Sequence, residues 1–173
     1  PPVDEDEEDE EGRPLWRVVR DMELDVDAYL ERIGTSRSEV GRRDRATLDL
    51  LIRRHLDHVP FENLDVINGV RVDLDARRVY EKIVERRRGG FCFEVNLVFG
   101  WLLLKLGFDA RYGLARVWRP SDETRPLLSD AVDAGSVLGP QTAAWGAAQP
   151  PSHVLIHVRF PDGRAVLADV GFG

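Results

Sequence analysis

Four residues of this chain have the types and spacing for nucleophilic chemistry: Cys92, His153, His157 and Asp169. Cys92 follows Arg86-Arg87-Arg88 and Gly89-Gly90 and opens a long apolar run that reads as a buried helix. The thiolate is the reactive form of cysteine, and a helix N-terminus lowers a thiol pKa through unpaired N–H groups and the macrodipole. The arginines are expected to push the same way. The glycines permit close backbone approach to a substrate, and the first-turn N–H groups suit an oxyanion. The same position also suits a buried structural cysteine, the commonest fate of a lone one.

A thiol nucleophile needs a base and a group to orient that base. His153 and His157 are four apart on one expected strand and so face the same side. Pro161-Asp162-Gly163 reads as a three-residue hairpin loop with Phe160 facing Arg164. That register places Asp169 opposite Leu155, a diagonal neighbour of each histidine. A loop one residue longer would turn Asp169 to the other face. Spacing alone permits a His–Asp pair, leaves open which histidine forms it, and equally allows a solvated cross-strand pair. His55-Leu56-Asp57-His58 has no third ligand nearby and reads as a surface or capping feature rather than a metal site.

The elements that must hold these groups follow from pattern. Amphipathic helices are predicted over Leu24 to Ile33, stopped at Gly34, and over Thr47 to His58, with Leu48, Leu51, Ile52 and Leu56 on the inward stripe. Pro60 ends the second. Phe61 to Val72 reads as an extended turn region. A third helix is expected from Ala76 to Arg87, capped by Asp73 or Asp75, with Val79, Tyr80, Ile83 and Val84 inward. A fourth runs from Cys92 to Gly107 and is apolar nearly all round, the mark of a central buried helix. Ala110 to Trp118 alternates as a strand, residues 119–152 read as a long irregular loop, and His153 to Phe160 with Arg164 to Val170 form the hairpin. Helices first and antiparallel strands after predict an α+β fold. The expected domains are a disordered acidic tail at 1–14, a helical domain at 15–107 carrying Cys92, and an antiparallel β domain at 108–173.

Asp4 to Glu11 is an unbroken run of eight acids, and setting those charges aside turns the net −7 into +1. The folded body is therefore nearly neutral. No basic stripe with interleaved aromatics points to nucleic acid. No apolar run is long enough to cross a bilayer as a helix. A single cysteine allows no intrachain disulfide and points to a reducing, cytoplasmic setting.

Arg88-Gly89-Gly90-Phe91-Cys92-Phe93-Glu94-Val95-Asn96 resembles the active-site segment of the arylamine N-acetyltransferases. Arg32-Ile33-Gly34, His55 followed by Pro60-Phe61-Glu62-Asn63-Leu64-Asp65-Val66, Leu106-Gly107-Phe108, Ala115-Arg116-Val117, Ser152-His153-Val154-Leu155-Ile156-His157-Val158 and Asp169-Val170-Gly171-Phe172-Gly173 resemble further stretches of that family in the same order. The resemblance implies Cys92 as nucleophile, His153 rather than His157 as base, and Asp169 as the acid that orients it. It implies that Phe61 and Phe172 line an acceptor pocket and that Arg88 and Glu62 form a structural ion pair. It implies ping-pong acetyl transfer from acetyl-CoA, a co-substrate rather than a resident cofactor, to an arylamine or arylhydrazine, with no metal. The family fold has a cysteine-protease-like core and a β-barrel, here expected to be incomplete because the family continues past the DVGFG turn. Two other readings stand beside it: another Cys-His-Asp transferase or hydrolase, and an inactive relative that serves as a binding module.

Overall fold

The computed structural model describes residues 22–117 and 152–172. The acidic tail, Trp118 and the 119–152 loop apart from Ser152 lie outside the described residues. Five α-helices precede three strands among the described residues: α1 Val26–Arg32, α2 Arg45–His58, α3 Leu64–Ile67, α4 Ala76–Tyr80, α5 Cys92–Lys105, β1 Asp109–Ala115, β2 His153–Arg159 and β3 Ala165–Ala168.

Local chemistry sets the helix ends. Asp25 caps α1 and Asp44 caps α2, each carboxylate accepting first-turn backbone N–H groups. At the far end of α2, Val59 is already extended because Pro60 disfavours helix in the residue before it. Asp75 caps α4, which widens into a π turn over Glu81–Glu85 with Arg86 N–H donating to the Glu81 carbonyl. The expected single helix to Arg87 is thus shorter and changes pitch. The four residues expected inward, Val79, Tyr80, Ile83 and Val84, are all buried. The expected extended region from Phe61 contains the one-turn helix α3, which buries no residue.

Helix α5 is the centre of the core. Ten of its fourteen residues are buried, including Phe99, Trp101, Leu102 and Leu103. They pack with Tyr29, Leu30, Leu48, Leu51, Ile83, Ile156, Val158 and Ala168 in one apolar cluster. Aromatic edges face rings within it, as between Tyr80 and Trp101 at 5.7 Å. On α2 Leu48 and Leu51 are buried as expected and Ile52 is half-buried, but the far end of the stripe differs. Leu56 is exposed and His55 is fully buried. A helix buries whatever its neighbours cover, and Tyr29 and Phe99 cover His55.

The strands form one sheet in the order β1-β2-β3. Strands β2 and β3 are antiparallel with Ile156 opposite Ala168 and Arg159 opposite Ala165, the register of the three-residue loop. Phe160 N–H donates to the Arg164 carbonyl, and Gly163 N–H donates to the Phe160 carbonyl. The described strands make an open sheet that is not closed into a barrel, the incomplete form expected.

The chain divides into two compact units. The described part of the larger is residues 22–113 and 154–172, and that of the smaller is residues 114–117 with 152–153. In the smaller unit Ser152 N–H donates to the Ala115 carbonyl and Val117 N–H to the Ser152 hydroxyl.

Candidate functional site

Cys92 is the first residue of α5 and is half-buried. The residue before it, Phe91, has no side chain able to cap, so the helix is closed at this end by Glu94, whose carboxylate accepts the Phe91 N–H at 3.1 Å. Burial pushes the Cys92 thiol above its ordinary pKa, and the charge of Asp169 adds to that. The N–H groups of Phe93, Cys92 and Val154 pull the other way. This corrects the expectation of a lowered thiol pKa: at this helix end desolvation outweighs the backbone dipoles. The arginines do not supply the expected help. Arg88 is committed to carboxylates, and Arg86 and Arg87 are exposed.

Asp169 lies just past β3 and is tied to the same helix. Its Oδ1 accepts from Asn96 Nδ2 at 2.8 Å and from Gly171 N–H at 2.9 Å. Asn96 is fully buried one turn beyond Cys92. The same Nδ2 donates to the Val154 carbonyl at 2.8 Å, and Asn96 Oδ1 accepts from Val170 N–H at 2.9 Å. One amide therefore binds the start of β2, the carboxylate of Asp169 and the turn that follows it. The Asp-Val-Gly-Phe turn presses directly on the helix. A Cβ on Gly171 would stand 2.8 Å from Cys92 Cα and 2.8 Å from Val95 Cγ2, so only glycine fits. Asn96 stands in the Arg88-to-Asn96 motif, where the sequence assigns it no role. Its four-residue spacing from Cys92, which puts both on one helix face, was the available signal.

His153 opens β2 in the smaller unit and is buried. His157 is half-buried and pairs with Leu167. Phe61 and Phe172 are 51% and 66% exposed. His55 and His58 do not act together. His55 Nδ1 shares a hydrogen bond with the Tyr29 hydroxyl at 2.9 Å in the core, against the expected surface position, while His58 Nδ1 meets the Arg54 carbonyl at 2.8 Å.

The loop before Cys92 is fastened from behind. Arg88 Nη2 meets Glu62 Oε1 at 2.8 Å, the expected ion pair, and Arg88 Nη1 meets Asp65 Oδ1 at 2.8 Å. Glu62 N–H donates to the Gly90 carbonyl, and Gly90 N–H to that of Pro60. A Cβ on Gly89 would fall 1.9 Å from the Pro60 carbonyl oxygen, so that crossing demands glycine. Arg32 is buried and donates to the carbonyls of Ile83, His58, Arg87 and Arg88, holding the chain through Arg87, the one described non-glycine residue at positive φ.

The described residues thus hold a thiol at the head of a core helix and a carboxylate anchored to that helix one turn on. Comparisons with known proteins give the family. A family model described as N-acetyltransferase matches residues 44–129. An arylamine N-acetyltransferase of Mycolicibacterium smegmatis is 38% identical over 154 residues, covering 88% of this chain and 48% of that protein. The crystal structure of the Nocardia farcinica arylamine N-acetyltransferase superposes with a TM-score of 0.64 at 35% identity, over 87% of this chain and 44% of that one. The Mycobacterium marinum enzyme in complex with CoA gives 0.66 at 32% identity, over 86% and 47%. The chain belongs to the arylamine N-acetyltransferase family. It spans about half the length of the curated relatives it matches.

Proposed function

We propose that the protein transfers an acetyl group from acetyl-CoA to an arylamine or arylhydrazine through an acetyl-Cys92 intermediate, with His153 as the base and Asp169 as its orienting acid. The observation that carries this reading is the anchoring of Asp169 and Val154, the residue after His153, to α5 by Asn96 one turn from Cys92. Because burial raises the free thiol's pKa, Cys92 depends on a base to become a nucleophile.

In the first half-reaction the Cys92 proton passes to His153, and sulfur attacks the thioester carbonyl carbon. The carbon–sulfur bond to CoA breaks, and the imidazolium returns the proton to the departing CoA sulfur. In the second half-reaction the amine nitrogen attacks acetyl-Cys92, His153 accepts the N–H proton, and the Cys92 sulfur leaves and is reprotonated. Phe61 and Phe172 present aromatic surface suited to an aryl acceptor. The reading carries with it a cysteine-protease-like arrangement of nucleophile and base and a cytoplasmic setting, which suits the free thiol. Among the described residues no helix is long and apolar enough to cross a membrane.

Incubation with radiolabelled acetyl-CoA tests the proposal. The expected result is one acetyl group on Cys92, discharged by an arylamine, with no label on Cys92→Ala. Equal labelling of Cys92→Ala, or an unlabelled wild type, overturns it.

A further inference from the structure

Behind the nucleophile lies a chain of alternating charges that begins at the Pro60-to-Asp65 turn. Glu62 pairs with Arg88, Arg88 with Asp65, Asp65 with Lys82, and Lys82 with Glu94. Lys82 is only 5% exposed, yet its Nζ stands 2.7 Å from Asp65 Oδ2 and 2.7 Å from Glu94 Oε1. A buried ammonium is costly unless paired, and here two carboxylates pair it. The other oxygen of Glu94 closes the N-terminus of α5 by accepting the Phe91 N–H. Gly90 sits against the same carboxyl: a Cβ there would lie 2.9 Å from Glu94 Oε2. Lys82 belongs to the π turn and is buried there, where it meets Asp65 of α3 and Glu94 in the first turn of α5.

We propose that Lys82 is a positioning residue for Cys92: by gripping Glu94 and Asp65 together it fixes the first turn of α5 and offsets a buried negative charge two residues from the sulfur. The inference rests on the reading of Cys92 as the nucleophile and adds a component that reading does not contain. Burial opposes the charge on Lys82, but Asp65 and Glu94 outweigh it and hold the ammonium above the ordinary lysine pKa. Lys82 and Arg88 in turn hold the Asp65 carboxyl below the usual range. The charge of Asp169 acts on the sulfur directly, while Glu94, paired with Lys82, lies two residues from Cys92 in the first turn of the same helix.

Cys92 is the sole cysteine, so the rate of iodoacetamide alkylation against pH reads this thiol directly and needs no acetyl-CoA. Lys82→Met leaves Glu94 charged and unpaired, and the midpoint of the profile is expected to rise by about one pH unit, with an about tenfold slower reaction at pH 7. The double variant Lys82→Met/Glu94→Gln removes one charge of each sign, keeps an acceptor for the Phe91 N–H, and should return the profile close to wild type. Lys82→Arg should shift it less than Lys82→Met. A folded Lys82→Met with an unchanged profile, or a double variant no closer to wild type than the single one, overturns the proposal. If Lys82→Met does not fold, Lys82→Arg decides: a smaller shift in the same direction supports the proposal and an unchanged profile overturns it. Failure of acetyl labelling at Cys92 with these shifts intact would sink the acetyltransfer reading alone.

Discussion

Helices α2 and α5 have the same length, fourteen residues, and opposite relations to the rest of the molecule. Helix α2 lies on the surface, buries four side chains and starts at an aspartate that caps it from within its own sequence. Helix α5 is covered nearly all round, starts at a phenylalanine that cannot cap, and takes its closing carboxylate from its own third residue, which Lys82 steadies from another element. The contrast shows how a reactive residue can stand at a helix end. Packing along the body of α5 holds the helix, which leaves its first N–H groups free to face the Cys92 sulfur.

If that contrast is right, the two helices should respond differently to substitution. The largest effect is expected at Trp101, fully buried in α5 against Tyr80. Trp101→Ala should lose about 3–5 kcal/mol of stability, read by chemical denaturation. A loss as small as that of a surface change would mean that α5 does not carry the core.

His55 is the exception on α2 and should behave like an α5 residue. Burial, aided by the charge of Arg32, lowers its pKa from 6.5 to about 3. The unfolded chain therefore binds a proton there between those values when the folded chain does not, and stability falls as pH drops from about 6.5 towards about 3. The slope from this group approaches about 1.4 kcal/mol per pH unit. His55→Phe should flatten it in an acid titration followed by circular dichroism. At pH 8 the same variant should lose about 1–3 kcal/mol, because the Tyr29 hydroxyl loses its buried partner.

Smaller effects are expected at the exposed sites of α2. Asp44→Ala removes the cap on the Thr47 N–H and should lower the melting temperature by a few degrees. Leu56→Ala, on the solvent side, should change stability by less than about 0.5 kcal/mol. A large loss there would put Leu56 back on the inward stripe that its spacing suggested.

Much of the frame was legible without coordinates wherever the deciding interaction is local. Asp75, one of the two caps expected, starts its helix by bonding an N–H group three residues on, and Pro60 stops another through its own ring. The Pro161-Asp162-Gly163 loop sets the β2–β3 register, which a single added residue would have reversed. The Arg88–Glu62 ion pair was legible for a different reason, because family resemblance carries information about distant contacts that spacing does not.

What only the tertiary structure decided involves groups far apart in the chain. Leu56 and His55 are adjacent, and which of them is buried depends on where Tyr29 and Phe99 fall. The thiol of Cys92 was expected to be acidified by its helix and is instead pushed up, because desolvation depends on everything packed around the sulfur. Asn96 ties together residues 58 to 74 positions away, and Lys82 joins two carboxylates from either side of it in sequence. Periodicity and capping chemistry act over one or two turns of chain. Burial and charge pairing are set by whichever segments meet in space, and that meeting is what makes Cys92 a candidate nucleophile.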